Sequence, residues 1–376
     1  MSGDALRGAL PALAFAPRLV RLRQGLDAAA VDALLVTTPA NVRYLTGFTG
    51  SAGVLFVTAT GAHLVTDGRY RTQAAEQLGA AGLDGTVELT VGGVPAQRQA
   101  LAAASATAAV SRLGLEADHV SWNAQRRWAE DLAPADPVAT SGVVERLRQV
   151  KDVGEVARMA RAAAIADAAL AEVVSLLGEG RREDEVALAL DSAMRRLGAE
   201  DRAFETIVAS GPNAAKPHAR PTTRAVAHGD PVVIDFGAIF DGYRSDMTRT
   251  FCVGAPPSGT LARVFAVVGA AQAAGVAVVR AGVGTGEVDR ACRDLIAEAG
   301  WAEAFEHGTG HGVGLDIHEA PAVGPGSTAI LAPGVVVTVE PGVYLPGVGG
   351  VRIEDTVVVT EDGSRTLTEF PKDAAA

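Results

Sequence analysis

Two segments far apart in the chain, 229-GDPVVID-235 and 334-GVVVTVE-340, share one design: a glycine, an apolar β-branched run, and an acid six residues on. A second acid follows each, Asp246 after Asp235 and Glu354 after Glu340. Histidines precede both pairs, His218 the first and His311 with His318 the second. Two stretches of helical periodicity stand ahead of each set, near 152–178 and 182–198, then near 258–281 and 285–299. Such an internal echo predicts a duplicated domain with a pseudo-two-fold axis and the acids meeting near it.

The first acid pair lies in 231-PVVIDFGAIFDGYRSDMTRTF-251, where Asp241-Gly242 is a two-residue turn signal. A hairpin closed there sets Gly237 opposite Asp246, with Asp235 on the same face two residues along. The carboxylates become diagonal neighbours, roughly 7–8 Å apart at Cα, with Asp235 inside the first strand and Asp246 inside the second. A buried carboxylate is costly without a cation beside it. An isolated pair reads most simply as hydrogen-bonded aspartates at a sheet edge. Four acids without matched basic neighbours in sequence repel one another unless cations bind between them. With an imidazole added, the donors are hard and oxygen-rich, which suits Mn2+ or a similar divalent ion.

Three of the seven histidines fall in 306-EHGTGHGVGLDIHEAP-321. The glycines alternating there allow close approach of backbone to a ligand. Position 313 is valine, so no G-x-G-x-x-G dinucleotide fingerprint forms, and Ala320-Pro321-Ala322 after His318-Glu319 excludes H-E-x-x-H. No G-x-S-x-G nucleophile elbow occurs.

A chain of 376 residues exceeds one ordinary core, so two domains are expected. Residues 18–140 read as α/β, with strands at 31–38, 53–59 and 62–67 and helices near 18–29, 68–80, 95–108 and 121–132. At 141-SGVVERLRQVKDVGEVARM-159 a short strand leads to a long helix opening near Asp152. The boundary is placed there, giving domains 1–147 and 148–376. Net charge is −11 with no basic block, which argues against nucleic-acid and anionic-membrane partners. Two cysteines, Cys252 and Cys292, fit a reducing cytoplasm rather than a disulfide scaffold. Arg7 ahead of 9-ALPALAFAP-17 has the look of a secretory leader, but the apolar run is short and Asp4 is acidic. The run 264-VFAVVGAAQAAGVAVV-279 contains Gln272 and reads as a buried helix rather than a membrane span.

Five separated pieces, 207-IVASGPNAAKPHARPT-222, 234-IDFGAIFDGYRSDMTRT-250, 310-GHGVGLDIHE-319, 338-TVEPGVY-344 and 350-GVRIEDT-356, resemble the pita-bread metallopeptidases: Xaa-Pro aminopeptidase (aminopeptidase P), Xaa-Pro dipeptidase (prolidase) and their relatives. The stretches 37-TTPANVRYLTGFTGS-51 and 65-VTDGRYR-71 are similar to the N-terminal domain of the prolyl members. Methionine aminopeptidase shares the second domain but generally lacks that N-terminal one. The resemblance implies a creatinase-like N-terminal α/β domain followed by a pita-bread domain.

It also implies a two-metal centre that takes Mn2+, with Co2+ or Zn2+ as alternatives. Asp246 and Glu354 would bridge two ions, Asp235 would complete one, and His311 with Glu340 the other. His218 and His318 would hydrogen-bond the substrate carbonyl or its oxyanion, and Glu340 would carry the water's proton to the proline nitrogen. Arg352, two residues before Glu354 and so on the same strand face, would orient that carboxylate or the substrate, with a plain salt bridge as the competing reading. His307 is taken as structural. The implied substrates are short peptides with proline second, and the implied assembly is a homodimer. Creatinase-like enzymes and metal-free binding relatives share the architecture but lose ligands that are all present here. Some archaeal-type dipeptidases carry an arginine soon after the position of His318. None occurs in 319-EAPAVG-324, which favours the aminopeptidase and leaves Arg43, Arg69 and Arg71 as other cations for a dipeptide's carboxylate.

Overall fold

The computed structural model describes residues 8–372; Asp4 and Arg7, which bear on the leader reading, lie outside the described residues, as do 373–376. The chain forms two compact units, one running Ala12–Arg148 and the other taking up the chain from Gln149 together with the segment that ends at Pro11.

In the first unit α1 (Phe15–Gly25), β1 (Ala33–Val36) and α2 (Pro39–Thr46) lead to β2 (Gly53–Thr58) and β3 (Ala62–Thr66). Next come α3 (Arg71–Ala80), β4 (Glu88–Val91), α4 (Val94–Thr107) and β5 (Arg112–Glu116). The unit closes with α5 (Trp122–Asp131), β6 (Asp136–Thr140) and α6 (Val143–Gln149). The strands make one mixed sheet in the order β4-β3-β2-β1-β5-β6. Strand β1, an unbroken ALLV run, is buried throughout, as a strand covered on both faces must be. Strands β4 to β6 and helix α2 go beyond the sequence expectation: β5 is interrupted by Gly114, and β6 carries Pro137, which an edge strand tolerates. The strand expected after Ser141 is instead helix α6. Val143, Val144 and Leu147 lie at helical spacing, and the β-branched pair alone suggested a strand.

The second unit begins with α7 (Val153–Val173), which opens on a reciprocal capping box between Asp152 and Glu155. It continues with α8 (Glu183–Arg196), β7 (Asp201–Arg202), β8 (Ile207–Ser210) and β9 (Pro231–Phe236). A hairpin of β10 (Ala238–Phe240) and β11 (Tyr243–Arg244) precedes β12 (Met247–Cys252). The echo then follows: α9 (Gly259–Val278), α10 (Thr285–Glu298), β13 (Gly310–Gly312), β14 (Glu319–Val323) and β15 (Val336–Val339). Hairpin β16 (Gly342–Leu345) and β17 (Gly349–Arg352) leads to β18 (Asp355–Val359) and β19 (Ser364–Thr366).

Each half has its own core. Leu170, Leu190 and Met194 of α7 and α8 pack with Ile234, Phe236 and Phe251; Val268, Val288 and Ile296 of α9 and α10 pack with Val337, Val339 and Val357. The matching glycines Gly229 and Gly334 both have left-handed φ, +79° and +87°, at the turn that starts β9 and precedes β15. Helix α9 is long and apolar enough to cross a membrane by length and composition. It buries Val264, Val268, Ala271, Gln272 and Gly275, and exposes Ala266, Ala270, Ala273 and Ala277. It is a one-sided core helix, not one buried all round, and its Gln272 amide donates to Asp355 at 2.9 Å.

A candidate metal centre between the two halves of the duplication

The hairpin register is the one the Asp241-Gly242 turn demands. Phe240 faces Tyr243, Phe236 faces Met247 and Asp235 faces Thr248, so the same register carried through sets Asp246 opposite Gly237. Asp246 nevertheless sits in a gap before β12 rather than inside a strand. The carbonyl of Gly237 is taken by Ala203 N at 2.7 Å, which splits one ladder into two and leaves Asp246 at the seam. The second half repeats this. Val339 faces Asp355 and Gly342 faces Arg352, so Glu340 and Glu354 oppose one another across a matching gap.

These seams bring the acids together. Ligand atoms of Asp235, Asp246 and Glu354 lie within 4.8 Å of one another, and Asp246 and Glu354 are buried. His311, on β13, reaches the same place: Nε2 is 3.6 Å from Asp246 Oδ2 and 3.4 Å from Glu340 Oε1. Gly310 permits this, because a Cβ there would stand 2.1 Å from the carbonyl of Thr338. A cavity of about 570 Å³ opens over the cluster, and His218, His307 and His318 share its lining with the five residues above. The rings of His311 and His318 meet edge to face, with centroids 4.4 Å apart.

The electrostatics of the cluster do not close on protein groups alone. Burial, then repulsion from Glu354, Asp235 and Glu340, pushes the Asp246 carboxyl well above the aspartate range. Glu354 is pushed up likewise by burial and by Glu340 and Asp235. Burial is also the main cause that raises Glu340 to about 8. Asp235 Oδ1 and Glu354 Oε1 are buried with no hydrogen-bond partner among the described residues. Burial lowers His311 to about 4, so its ring is neutral near pH 7. Its Nδ1 lies 3.0 Å from the Gly312 carbonyl and must carry the proton, which leaves the Nε2 lone pair directed at two carboxylates. Once those carboxyls ionise, a lone pair facing them is repulsive unless a cation lies between. Two orphaned carboxylate oxygens and this imidazole therefore fit divalent cations.

An outer layer holds the donors. Thr248 Oγ1 donates to Glu354 Oε2 at 2.7 Å, and Thr338 Oγ1 donates to Glu340 Oε1 at 3.2 Å. The halves are cross-tied: Glu354 N bonds the Thr248 carbonyl at 3.1 Å, and Thr356 Oγ1 bonds the Asp246 carbonyl at 2.8 Å. Arg352 closes β17, and Glu354 lies in the gap beyond it. The guanidinium turns to Asp235, with Nη2 2.6 Å from Oδ2, and Nη1 donates to Tyr344 Oη at 2.7 Å. Tyr344 Oη lies 2.8 Å from His307 Nε2, and His307 Nδ1 lies 2.8 Å from the Gly308 carbonyl. Sequence reading passed over Thr248, Thr338 and Tyr344. For Thr248 the available signal was a threonine two residues after both Asp246 and Glu354, at 248 and 356.

Residues 157–361 match the model of metallopeptidase family M24, and residues 18–150 match the creatinase/prolidase N-terminal domain. An uncharacterized peptidase of Bacillus subtilis, YqhT, is 40% identical over 95% of this chain and 99% of its own length. The solved structure of an Xaa-Pro dipeptidase from Bacillus anthracis superposes with a TM-score of 0.91 at 39% identity, covering 96% of this chain and 99% of that one. An X-Pro aminopeptidase structure from Thermotoga maritima gives 0.85 at 34% identity, covering 94% and 100%. With the duplicated domain, its acid cluster and both family matches in hand, the chain belongs to metallopeptidase family M24, as a peptidase with a creatinase-type N-terminal domain and a pita-bread domain.

Proposed function

We propose that the chain hydrolyses the peptide bond ahead of proline in short peptides and releases the N-terminal residue, as an Xaa-Pro aminopeptidase. The observation that carries this reading is the cluster of buried carboxylates with two orphaned oxygens and an imidazole lone pair aimed into it. Asp235, Asp246, His311, Glu340 and Glu354 are the ligands we assign to two divalent ions, Mn2+ foremost, in a catalytic domain of residues 148–376 that follows an N-terminal domain of residues 1–147. Divalent ions bound there supply Lewis acidity toward a carbonyl and lower the pKa of a water.

The protein groups divide the remaining work. Glu340, whose carboxyl burial raises to about 8, accepts the attacking water's proton and passes it to the proline nitrogen. That nitrogen carries no hydrogen in the substrate, so the site needs no acceptor for it. His218 and His318, on the cavity wall, donate to the carbonyl oxygen as it gains charge. Arg352 is committed to Asp235 and Tyr344 and is buried, so we assign it to positioning Asp235 rather than touching substrate.

Dipeptidase activity is the second reading, favoured by the name of the Bacillus anthracis relative and by an arginine at the cavity, Arg220. Arg69, one of the N-terminal arginines first considered for the carboxylate, is paired with Asp67 at 2.7 Å. We place the protein in a reducing cytoplasm, in keeping with buried free thiols at Cys252 and Cys292, and as a homodimer, which light scattering would check. The functional test compares Ala-Pro with Ala-Pro-Ala, each with Mn2+ and with a chelator. Metal-dependent cleavage dominated by the tripeptide supports the aminopeptidase; cleavage of the dipeptide alone reverses that choice. No metal-dependent cleavage of either overturns the Xaa-Pro assignment.

A further inference from the structure

Peptide substrates of this site end in a carboxylate, and the nearer that carboxylate lies to the scissile bond, the more it needs a cation in the cavity. Among the described residues that line the cavity, the arginines are Arg220 and Arg352. Arg352 is buried and spends its guanidinium on Asp235, Tyr344, Thr248 and the Pro217 carbonyl. Arg220 is the opposite case. Its side chain is 80% exposed and pairs with Glu205, a half-exposed carboxylate on the same rim, at 3.1 Å.

An ion pair that exposed is screened by water and worth little, so exchanging Glu205 for another carboxylate costs little. A guanidinium can also take a carboxylate with two parallel hydrogen bonds, which a single contact to Glu205 does not exhaust. The backbone beneath Arg220 is fixed on both sides. Ala219 is buried, and Thr222 is held through its N at 2.9 Å and its Oγ1 at 2.6 Å by the buried carboxylate of Glu183. The loop is thus tied down on either side of an exposed guanidinium. Arg220 also stands two residues from His218, which lines the same cavity.

We infer that Arg220 is a specificity-determining residue that anchors the C-terminal carboxylate of an Xaa-Pro dipeptide, with Glu205 competing for it as a built-in stand-in. This inference rests on the Xaa-Pro reading and adds free dipeptides to the substrates of the site. It replaces the cation missing from 319–324 with one on the loop of His218.

The test uses the full chain with Mn2+ and two substrates that differ only in the terminal charge, Ala-Pro and Ala-Pro amide. The quantity read is the ratio of their kcat/KM values. Arg220→Ala and Glu205→Gln break the same surface ion pair, so a merely structural role moves both variants alike. An anchoring role moves them apart: Arg220→Ala lowers the ratio about tenfold, carried by the KM of the free dipeptide, as expected for one charged hydrogen-bonded contact. Glu205→Gln raises the ratio, because the competing carboxylate is gone, and Arg220→Lys falls between Arg220→Ala and the wild type. Both positions are exposed, so folding is not at stake. Ratios that shift together, or stay put, while hydrolysis persists overturn the Arg220 assignment alone. Absence of cleavage of Ala-Pro, its amide and Ala-Pro-Ala by the wild type overturns the Xaa-Pro reading and this inference with it.

Discussion

At His311 the surroundings assign both ring nitrogens: the Gly312 carbonyl takes the Nδ1 proton, and Nε2 is left facing Asp246 and Glu340. The same logic makes Asp246 decisive, since it is buried, shares its space with two other acids and stands at the seam of a ladder. Asp246→Ala is expected to leave the protein folded, and without its acid repulsion no less stable when metal-free, yet to abolish hydrolysis; retained turnover in a folded variant would contradict the ligand set. Thr248→Val removes the hydroxyl that fixes Glu354 Oε2 and releases Arg352 Nε, and is expected to weaken Mn2+ binding roughly 10- to 100-fold in a calorimetric titration. An unchanged affinity would show that Glu354 is held by other means. The acids themselves were legible in the sequence because charge inside a β-branched run is an anomaly that burial must explain. Thr248 and Thr338 were not, because threonine is ordinary in strands and only its partner reveals its task. Arg352 was singled out for Glu354 or the substrate with a plain salt bridge as the competing reading; its contact to Asp235 is such a salt bridge, to an acid 117 residues away that spacing along one strand cannot name.

Elements in the catalytic unit are tied by buried carboxylates that carry no catalytic task. Glu183, in the first turn of α8, accepts from Ser210 N and Oγ, Asn213 Nδ2, and Thr222 N and Oγ1, so one side chain pins β8, the turn after it and the loop of His218. Burial alone would raise its pKa, but the hydrogen bonds from Thr222, Ser210 and Asn213 outweigh burial and hold it below the usual 4.5. A depressed carboxylate contributes stability that is present above its unfolded pKa and lost as pH falls through its folded one. Glu183→Ala leaves several buried donors unpaired and is expected to cost about 3 kcal/mol or more in urea unfolding at pH 7. The loss should shrink as pH drops below about 4, where the wild type surrenders the same contribution. A variant within about 0.5 kcal/mol of wild type at pH 7 would contradict this role. Helices α7 to α10 were legible from periodicity and caps, and β9 with its hairpin from the turn residues. Helix α6 was not, because two adjacent valines outweighed a helical spacing only seven residues long. Strands β5 and β6 were missed because Gly114 and Pro137 interrupt the patterns that announce a strand, and β4 because its four residues, ELTV, are too few to set a pattern.

Across the whole molecule the duplication joins fold to chemistry: two helix pairs, two cores and two broken ladders deliver one acid pair each to a common place. Close identity between the halves was not needed to read this, since a glycine, an acid six residues on and a second acid beyond the hairpin survive in both. What the sequence could not carry is the cost of the arrangement. With Asp246 and Glu354 pushed up and Glu340 raised to about 8, the metal-free folded state holds protons that the unfolded chain has already released by pH 5 to 6. The sign follows: this contribution to stability is full below the unfolded pKa values and disappears as pH rises through the folded ones. The melting temperature of chelator-treated protein is therefore expected to fall between pH 5.5 and pH 8, and Mn2+ to restore it most at the upper end, where the carboxylates are free to bind. A metal-free melting temperature flat across that range would contradict the assigned burial of the acids.

Whether the five residues hold divalent ions is read from a calorimetric titration of metal-free wild-type protein with Mn2+ near pH 8, alongside Asp246→Ala. The wild type is expected to take up about two ions per chain, and the variant to lose that uptake. Wild-type protein that takes up no Mn2+, or a variant that binds as the wild type does, would contradict that ligand set.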